Sequence, residues 1–313
     1  MSTVGTTNSC AAQPAAVSTS GRSVLAGRIE DYFEMAKPRI VSMALVAVAV
    51  GYTLGSRGQW PAAPLAAAVF GIALVAAAGS ILNQWWERKT DARMLRTAAR
   101  PLAGKRIPPA EALLVGFTAG GTGFVWLALT VNLTTALLTL ATLVLYAAVY
   151  TPLKRYTSFC TAVGAVPGAL PPVLGWTAAG GTLGIESFSL FAILFLWQFP
   201  HFLAIAWIYR NDYAAADLKM LPAGRNTGRL TAALCVVYSL ILLPISLIPS
   251  QLGLAGDRYF IAALLLSSGY LTAAVLFLKR PGDTSARGLL RTSLVYLPLL
   301  LIVLCWDHVQ LLR

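Results

Sequence analysis

The sequence predicts an all-α, polytopic membrane protein in which about nine transmembrane helices form a bundle around a central cavity. Of its 313 residues, 57% are hydrophobic and only 12% are charged, about half the charged share of an average soluble domain. The apolar residues fall into runs long enough to cross a bilayer as helices, which takes about 20 residues each. The basic residues gather in alternate connections between these runs. These observations exclude an ordinary soluble globular protein and an intrinsically disordered one.

The net charge is +12. In a chain this apolar, such a charge indicates loops that face an anionic membrane surface or an anionic substrate, so no nucleic-acid partner is expected. The four cysteines are far apart, which indicates neither a disulfide framework nor a zinc site. They are Cys10, Cys160, Cys235 and Cys305.

The first 28 residues are rich in Ser, Thr, Ala and Gly and carry no acid. They lack the apolar core of a secretory signal peptide. We predict a disordered N-terminal tail over 1–28, followed by one membrane domain over 29–313. A weak transit peptide is the alternative for the tail.

The apolar runs predict nine spans, with boundaries good to a few residues. They cover about 39–56, 62–82, 110–130, 133–151, 161–180, 188–209, 230–249, 259–278 and 292–311. The span over 161–180 contains Pro167, Pro171 and Pro172. A membrane helix carries such prolines only where neighbouring helices satisfy the freed carbonyl groups.

The basic residues indicate the orientation. With a cytoplasmic N-terminus, all 24 Lys and Arg residues except Arg57, Arg258 and Arg313 lie on the cytoplasmic side, as the positive-inside rule requires. The loss of one helix would scramble this distribution, so it also supports the count of spans. We expect a multi-pass protein of a bacterial inner membrane, with the mitochondrial inner membrane as the alternative.

The first candidate site follows the second span. Asn83, Glu87 and Asp91 stand at i, i+4 and i+8, positions that drift by only about 40° per step on a helix and so share a face. Hard oxygen ligands in a row suit Mg²⁺, which keeps its other positions for water and substrate phosphates. Arg96 and Arg100 follow, and paired guanidinium groups suit a polyphosphate. The alternative is a basic loop balanced by its own acids.

The second candidate site lies at the end of the fourth span, on the same side. Tyr146 and Tyr150 precede Lys154 and Arg155. The two cations either bind phosphate or anchor the helix at the lipid headgroups. The Gly- and Pro-rich stretch 164–176 comes next, and such residues allow close helix packing and expose backbone toward a cavity.

The third candidate site lies within the sixth span. Gln198 and His201 flank Pro200, and His201 lies roughly 12 Å inside the membrane by the helical rise. Polar groups at that depth are costly unless they face a cavity or a partner, so an interhelical hydrogen bond is the alternative. Asp212 and Asp217 follow the same span. They either complete a metal site with the first acids or pair with neighbouring basic residues.

All three candidate sites converge on the cytoplasmic face. Acids, cations and an intramembrane polar pair together predict a pocket with one anion- and metal-binding end. Its other end opens into an apolar interior. That shape fits a lipid diphosphate, with the head on Mg²⁺ and the tail between helices.

At these residues the chain resembles the UbiA superfamily of intramembrane prenyltransferases, from about Asp31 to the end. Within the superfamily it is similar to the haem farnesyltransferases. The Asn83, Glu87 and Asp91 run marks only the superfamily, whereas segments 151–155 and 197–202 are more specific to the haem branch. Further matching segments are 37–40, 94–97, 100–102, 164–176, 212–213 and 220–222.

The sequence departs from the family pattern at three positions. Glu87 stands where bacterial members more often carry Asp, and Cys160 stands where Asn is expected. Asp217 stands where Gly is common, which leaves Asp212 and Asp217 five residues apart rather than four. Asp212 is therefore the stronger of the two metal-ligand candidates.

The resemblance implies that farnesyl diphosphate prenylates the vinyl group of haem b and yields haem O and diphosphate. It implies Mg²⁺ held by Asn83, Glu87, Asp91 and Asp212, with Asp217 as a further candidate. It implies diphosphate binding by Arg96, Arg100, Lys154 and Arg155, and stabilisation of the allylic cation by Tyr146 and Tyr150. His201 would orient the haem through its iron or act as a base, and Gln198 would bind a propionate or steady His201. A haem A synthase or an oxidase subunit is the implied protein partner.

Three other functions fit parts of the sequence. A UbiA-type enzyme acting on a quinone precursor or another aromatic acceptor would keep the acids but has no use for His201. A transporter of an anionic solute would suit the basic loops, yet no internal repeat is visible. A haem-binding protein without catalysis normally needs paired axial histidines, and only His201 is suitably placed.

Overall fold

The computed structural model describes residues 24–59, 61–219 and 227–313, and every regular element in these ranges is helical. A short helix, α1 (Val24–Ala36), precedes the bundle. The remaining helices are α2 (Pro38–Gly55), α3 (Ala62–Asp91), α4 (Pro109–Thr130), α5 (Leu133–Val144), α6 (Thr151–Leu153), α7 (Cys160–Ala169), α8 (Pro171–Ala178), α9 (Ile185–Ile208), α10 (Arg210–Ala215), α11 (Thr227–Gln251), α12 (Asp257–Lys279) and α13 (Asp283–Leu311). A π-helical segment, Leu145–Tyr150, joins α5 to α6.

The all-α membrane architecture is confirmed. Among the described residues, eight helical segments are long and apolar enough to cross a membrane, with α5, the π-helical segment and α6 forming one of them. The remaining predicted span, 161–180, corresponds to two shorter helices, α7 and α8, which meet at Leu170. Pro171 and Pro172 start α8 there because proline lacks an N–H and fits the first helical turn.

The contacts between helices close into a ring that includes α9. Helix α9 packs against α7 and α8 on one side and against α11 and α13 on the other, and α2 packs against both α8 and α13. The largest core cluster lies in this half of the bundle. It includes the fully buried side chains of Tyr259, Tyr270, Phe277 and Tyr296.

Two glycines allow an unusually close contact between α2 and α8. A Cβ atom on Gly51 would lie 1.8 Å from the carbonyl oxygen of Pro172. A Cβ atom on Gly175 would lie 1.8 Å from the carbonyl oxygen of Val48. The small residues predicted to permit close packing therefore do so at this interface.

Helix α1 is tied to the start of α4 and to the loop before it. Arg28 and the Tyr32 hydroxyl both donate to the Glu111 carboxylate, and Arg106 pairs with Asp31 and Glu34. Residues 1–23 of the predicted tail lie outside the described residues, and α1 begins at Val24. A disordered tail therefore stays a prediction over 1–23, whereas residues 24–28, predicted to belong to it, are helical.

Candidate active site at the basic end of the bundle

The basic end of the bundle is where α3, α6 and α9 finish and where α2, α4, α7 and α13 begin. The last three turns of α3 carry Asn83, Glu87 and Asp91. Each of the three side chains has a cationic partner from a different segment. Those partners are Lys37, Lys154 and Arg100.

Glu87 pairs with Lys154, which comes from the end of the fourth predicted span. The Lys154 ammonium donates to a Glu87 carboxylate oxygen at 2.7 Å, and both side chains are mostly buried. Burial opposes the charge on Lys154, but the Glu87 carboxylate together with Tyr150 and Tyr146 outweighs this effect and raises the pKa of the ammonium well above its usual value. The ammonium also lies 4.4 Å from the centre of the Tyr150 ring.

The π-helical segment places two aromatic rings beside this pair. Tyr146 and Tyr150 lie 5.7 Å apart, measured between ring centroids. The carbonyl of Tyr146 accepts from Thr151, and the Thr151 hydroxyl oxygen accepts from the Asn83 amide at 3.0 Å. Tyr150 thus lies beside Lys154, and the role of both tyrosines toward an allylic cation stays a prediction.

Asp91 pairs with Arg100 but keeps one oxygen free. Arg100 donates to Oδ2 of Asp91 at 2.8 Å, while Oδ1 is buried and has no hydrogen-bond partner among the described residues. A buried carboxylate oxygen without a partner is costly unless something binds it. Carboxylate and amide oxygens such as those of Asp91, Glu87 and Asn83 are the donors that Mg²⁺ prefers, and their assignment as metal ligands stays a prediction.

The residue patterns assigned no chemical role to Lys37, but the structure places its side chain at the site. Its ammonium donates to the Asn83 amide oxygen at 3.1 Å. Burial, reinforced by the Arg100 guanidinium, lowers the pKa of Lys37 to about 8. Its backbone has φ 50 and ψ 59, a left-handed conformation just before Pro38. Such backbone strain is often found at functional sites. In the sequence, the Lys-Pro-Arg run at the start of α2 was the feature that could have drawn attention to Lys37.

The loop after α3 meets the loop after α9. Met94 packs in one cluster with Ala216, Leu218 and Tyr213, and the Arg96 guanidinium lies 4.7 Å from the centre of the Tyr209 ring. This contact brings the third candidate segment over the first.

Asp212 and Asp217 lie on α10 and just after it. Asp212 is half-buried in α10 and Asp217 is exposed. Within the described ranges, no three His, Cys, Asp or Glu side chains are close enough to share a metal ion, so both ligand assignments stay predictions. Asp217 has φ 55, which explains why glycine suits this position. Met220, Leu221 and Pro222 lie outside the described residues.

Arg155 differs from Lys154 in its setting. It is exposed and donates to the carbonyl of Trp86 at 3.2 Å. It also borders a pocket at the basic end. The lining residues are Trp86, Glu87, Thr90, Thr151, Pro152, Arg155, Tyr156 and Leu218.

Gln198 and His201 lie deeper in the bundle on α9. The Gln198 amide donates to the carbonyls of Ala165 and Leu194, and a Cβ atom on Gly168 would lie 2.1 Å from its amide oxygen. Gln198 therefore joins α9 to α7. His201 is half-buried, and its Nδ1 lies 2.7 Å from the Ser293 hydroxyl on α13.

Comparisons with known proteins identify the family of the chain. The UbiA prenyltransferase family matches residues 44–301. A protoheme IX farnesyltransferase of Solibacter usitatus is 44% identical over 281 residues, which cover 87% of this chain and 96% of that protein. Its counterpart in Koribacter versatilis is 42% identical over 310 residues, covering 95% and 98%.

Solved structures share the fold at low identity. A structure described as a digeranylgeranylglyceryl phosphate synthase has a TM-score of 0.75 at 17% identity and covers 91% of this chain and 99% of its own. A UbiA homologue from Archaeoglobus fulgidus, solved with GPP and Mg²⁺, has a TM-score of 0.58 at 17% identity and covers 90% and 99%. With a family match over most of its length and relatives above 40% identity, the chain belongs to the UbiA prenyltransferase family.

Proposed function

We propose that this chain transfers the farnesyl group of farnesyl diphosphate to a vinyl group of haem b, giving haem O and diphosphate. The observation that carries this proposal is the set of buried, cation-paired oxygens at the end of α3, in a chain whose similar relatives are protoheme IX farnesyltransferases. The enzyme would be a multi-pass protein of a bacterial inner membrane, with the basic end and the N-terminus in the cytoplasm.

The cations at the basic end bind the diphosphate head. Lys37, Lys154 and Arg100 each hold a side chain of α3. A diphosphate group gives these cations a second anionic partner. Arg96 and Arg155 lie on loops at the same basic end of the bundle. Positive charge fixed there stabilises the negative charge that develops on the leaving group.

The carboxylates of Glu87 and Asp91 and the amide oxygen of Asn83 would hold Mg²⁺, with Asp212 as a further ligand. Bound there, Mg²⁺ neutralises charge on the departing diphosphate. The unpartnered Asp91 Oδ1 is the atom that supports this assignment. The 2.8 Å contact with Arg100 keeps the other oxygen in place.

The chemical step leaves a carbocation that the protein must shield. The C1–O bond of farnesyl diphosphate breaks and its electron pair leaves with diphosphate. C1 then bonds to the terminal vinyl carbon, water adds to the other vinyl carbon, and a proton is released. The rings of Tyr146 and Tyr150 stabilise the allylic cation through cation–π attraction. His201 and Gln198 lie on the acceptor side, and a haem A synthase or an oxidase subunit would receive the product.

An acceptor assay tests this proposal. Purified protein in detergent receives farnesyl diphosphate and Mg²⁺, with haem b in one arm and 4-hydroxybenzoate, an aromatic acceptor, in another, and mass spectrometry reads the products. We expect a hydroxyethylfarnesyl haem that disappears with EDTA. Prenylation of the aromatic acceptor alone would refute the haem assignment. Absence of any prenylated product from folded protein would refute prenyl transfer and leave an anion transporter to be tested in vesicles.

A further inference from the structure

His201 is held by Ser293 of α13 and by Trp197 of its own helix. Its Nδ1 lies 2.7 Å from the Ser293 hydroxyl. Trp197, one turn earlier on α9, donates from its indole N–H to the Ser293 carbonyl at 2.9 Å. The indole also stacks on the imidazole, with ring centroids 4.8 Å apart and planes inclined by 24°. These contacts fix the orientation of the imidazole ring.

The proton on the imidazole can be placed from its partner. A serine hydroxyl has one proton to donate, and the Leu290 carbonyl, which can only accept, lies 2.6 Å from the Ser293 oxygen. With the serine proton given to that carbonyl, the hydroxyl oxygen accepts from His201. A neutral imidazole carries its proton on one nitrogen and a lone pair on the other. With the proton on Nδ1, Nε2 keeps the lone pair.

The Tyr270 hydroxyl is a further neighbour of the Ser293 hydroxyl. Ser293 is fully buried. The neighbouring Tyr270 hydroxyl donates to the carbonyl of Trp197 at 3.1 Å, and the Tyr270 ring stacks on Tyr296. The three helices α9, α12 and α13 are thus joined around the same serine.

His201 is half-buried and lies on the side of α9 between the contacts of this helix with α7 and α13. It follows Gln198, which contacts α7, by three residues and Trp197, which contacts α13, by four. At 100° per residue its side chain projects between these two contacts. Among the described residues, Nε2 of His201 has no hydrogen-bond partner.

We propose that Ser293 is a positioning residue that accepts the Nδ1 proton of His201 and so presents an unprotonated Nε2 to the iron of the haem acceptor. The proposal rests on the proposed function, because the haem supplies the iron. Metal-ligating histidines almost always donate their other ring N–H to an oxygen acceptor in this way. The tautomer itself is a property of the protein without haem, so it can be tested separately.

The tautomer can be read directly because the chain has only two histidines. Solid-state ¹⁵N spectra of ¹⁵N-histidine-labelled protein, without haem or farnesyl diphosphate, resolve the two rings, and a His201→Gln sample identifies which is His201. We expect wild-type His201 to be protonated on Nδ1. Ser293→Ala should shift it toward the Nε2 tautomer, and Ser293→Thr should keep the wild-type signals. Protonation of wild-type His201 on Nε2, or a spectrum that Ser293→Ala leaves unchanged, would overturn the inference.

Haem titration tests the role toward iron. Followed by the Soret band of ferric haem, Ser293→Ala should weaken haem binding about tenfold, the lower end of the cost of losing such a hydrogen bond. Ser293→Thr should restore the affinity. Ser246→Ala is the matched control, since it removes another fully buried hydroxyl that bonds to Leu242 and Tyr296 instead. An unchanged Soret band and affinity in Ser293→Ala would refute the positioning role of Ser293.

These outcomes are distinct from failure of the proposed function. Wild-type protein that shows the Nδ1 tautomer and the Soret response but does not prenylate haem would refute the reaction and support the positioning role. Protein that prenylates haem with His201 protonated on Nε2 would support the reaction and overturn the role of Ser293.

Discussion

At the scale of single residues, the carboxylates of the site are already neutralised before any ligand binds. Glu87 and Asp91 each pair with a mostly buried cation at 2.7 and 2.8 Å. Removing one partner from a buried pair leaves an uncompensated charge and costs about 3–5 kcal/mol. An exposed pair is worth only about 0–1 kcal/mol. The structure therefore separates buried, paired cations, whose loss is costly, from exposed ones, whose loss costs little, a distinction that the sequence patterns did not make.

Lys154 and Arg155 are adjacent and both were predicted to bind diphosphate, but their settings differ. Lys154→Gln should lower kcat/KM for farnesyl diphosphate about 100-fold, the usual cost of losing one group that stabilises developing charge. Arg155→Gln should lower it at most about fivefold, since the exposed Arg155 contributes like a surface pair. Steady-state kinetics on both variants tests this ranking, and size-exclusion chromatography checks that both are folded. Equal losses in the two would contradict this ranking.

At the scale of elements, hydropathy located the spans but not their interruptions. Apolar run length is a property of the chain itself, so the eight long spans and the α7–α8 pair follow the predicted runs. The π-helical turns of Leu145–Tyr150 depend on how α5 packs, because nothing in local propensity selects an i to i+5 hydrogen bond. The left-handed backbone of Lys37 is likewise held by its surroundings.

The contact between α2 and α8 gives an element-scale prediction. Gly51→Ala places a methyl group against the Pro172 carbonyl, and such overpacking typically costs about 1–3 kcal/mol. The midpoint of thermal unfolding in detergent, followed by tryptophan fluorescence, should fall clearly below that of the wild type. Gly121→Ala is the control, because nothing lies within 4 Å of its added Cβ and alanine is the better helix former. Equal midpoints for the two variants would show that the contact is looser than described.

At the scale of the whole molecule, the ring of helices brings segments far apart in sequence to one end. Asn83, Glu87 and Asp91 could be placed on one helical face from spacing alone. Their pairing with Lys37, Lys154 and Arg100 could not, because it depends on three different connections. The predicted depth of His201 placed it inside the bundle, but its contact with Ser293 joins residues 92 positions apart.

The distribution of basic residues predicts how the whole molecule sits in the membrane. In a cysteine-free background, Gln251→Cys lies at the end opposite the basic end, and Arg93→Cys lies at the basic end; both positions are exposed. A membrane-impermeant maleimide should label Gln251→Cys in intact bacterial cells and Arg93→Cys only after permeabilisation. The reverse pattern would invert the orientation and place the site outside the cytoplasm.

The most direct test of the central claim removes both carboxylates at the end of α3. In the Glu87→Gln and Asp91→Asn double variant, the single-turnover rate of hydroxyethylfarnesyl haem formation should fall by a factor of about 1,000 or more, because the groups that stabilise the leaving diphosphate are lost. The protein should still insert into the membrane and bind haem as the wild type does. Asp257→Asn, which neutralises an exposed carboxylate at the opposite end, should keep the wild-type rate. A double variant that still farnesylates haem at a rate near that of the wild type would contradict the assignment of these carboxylates to catalysis.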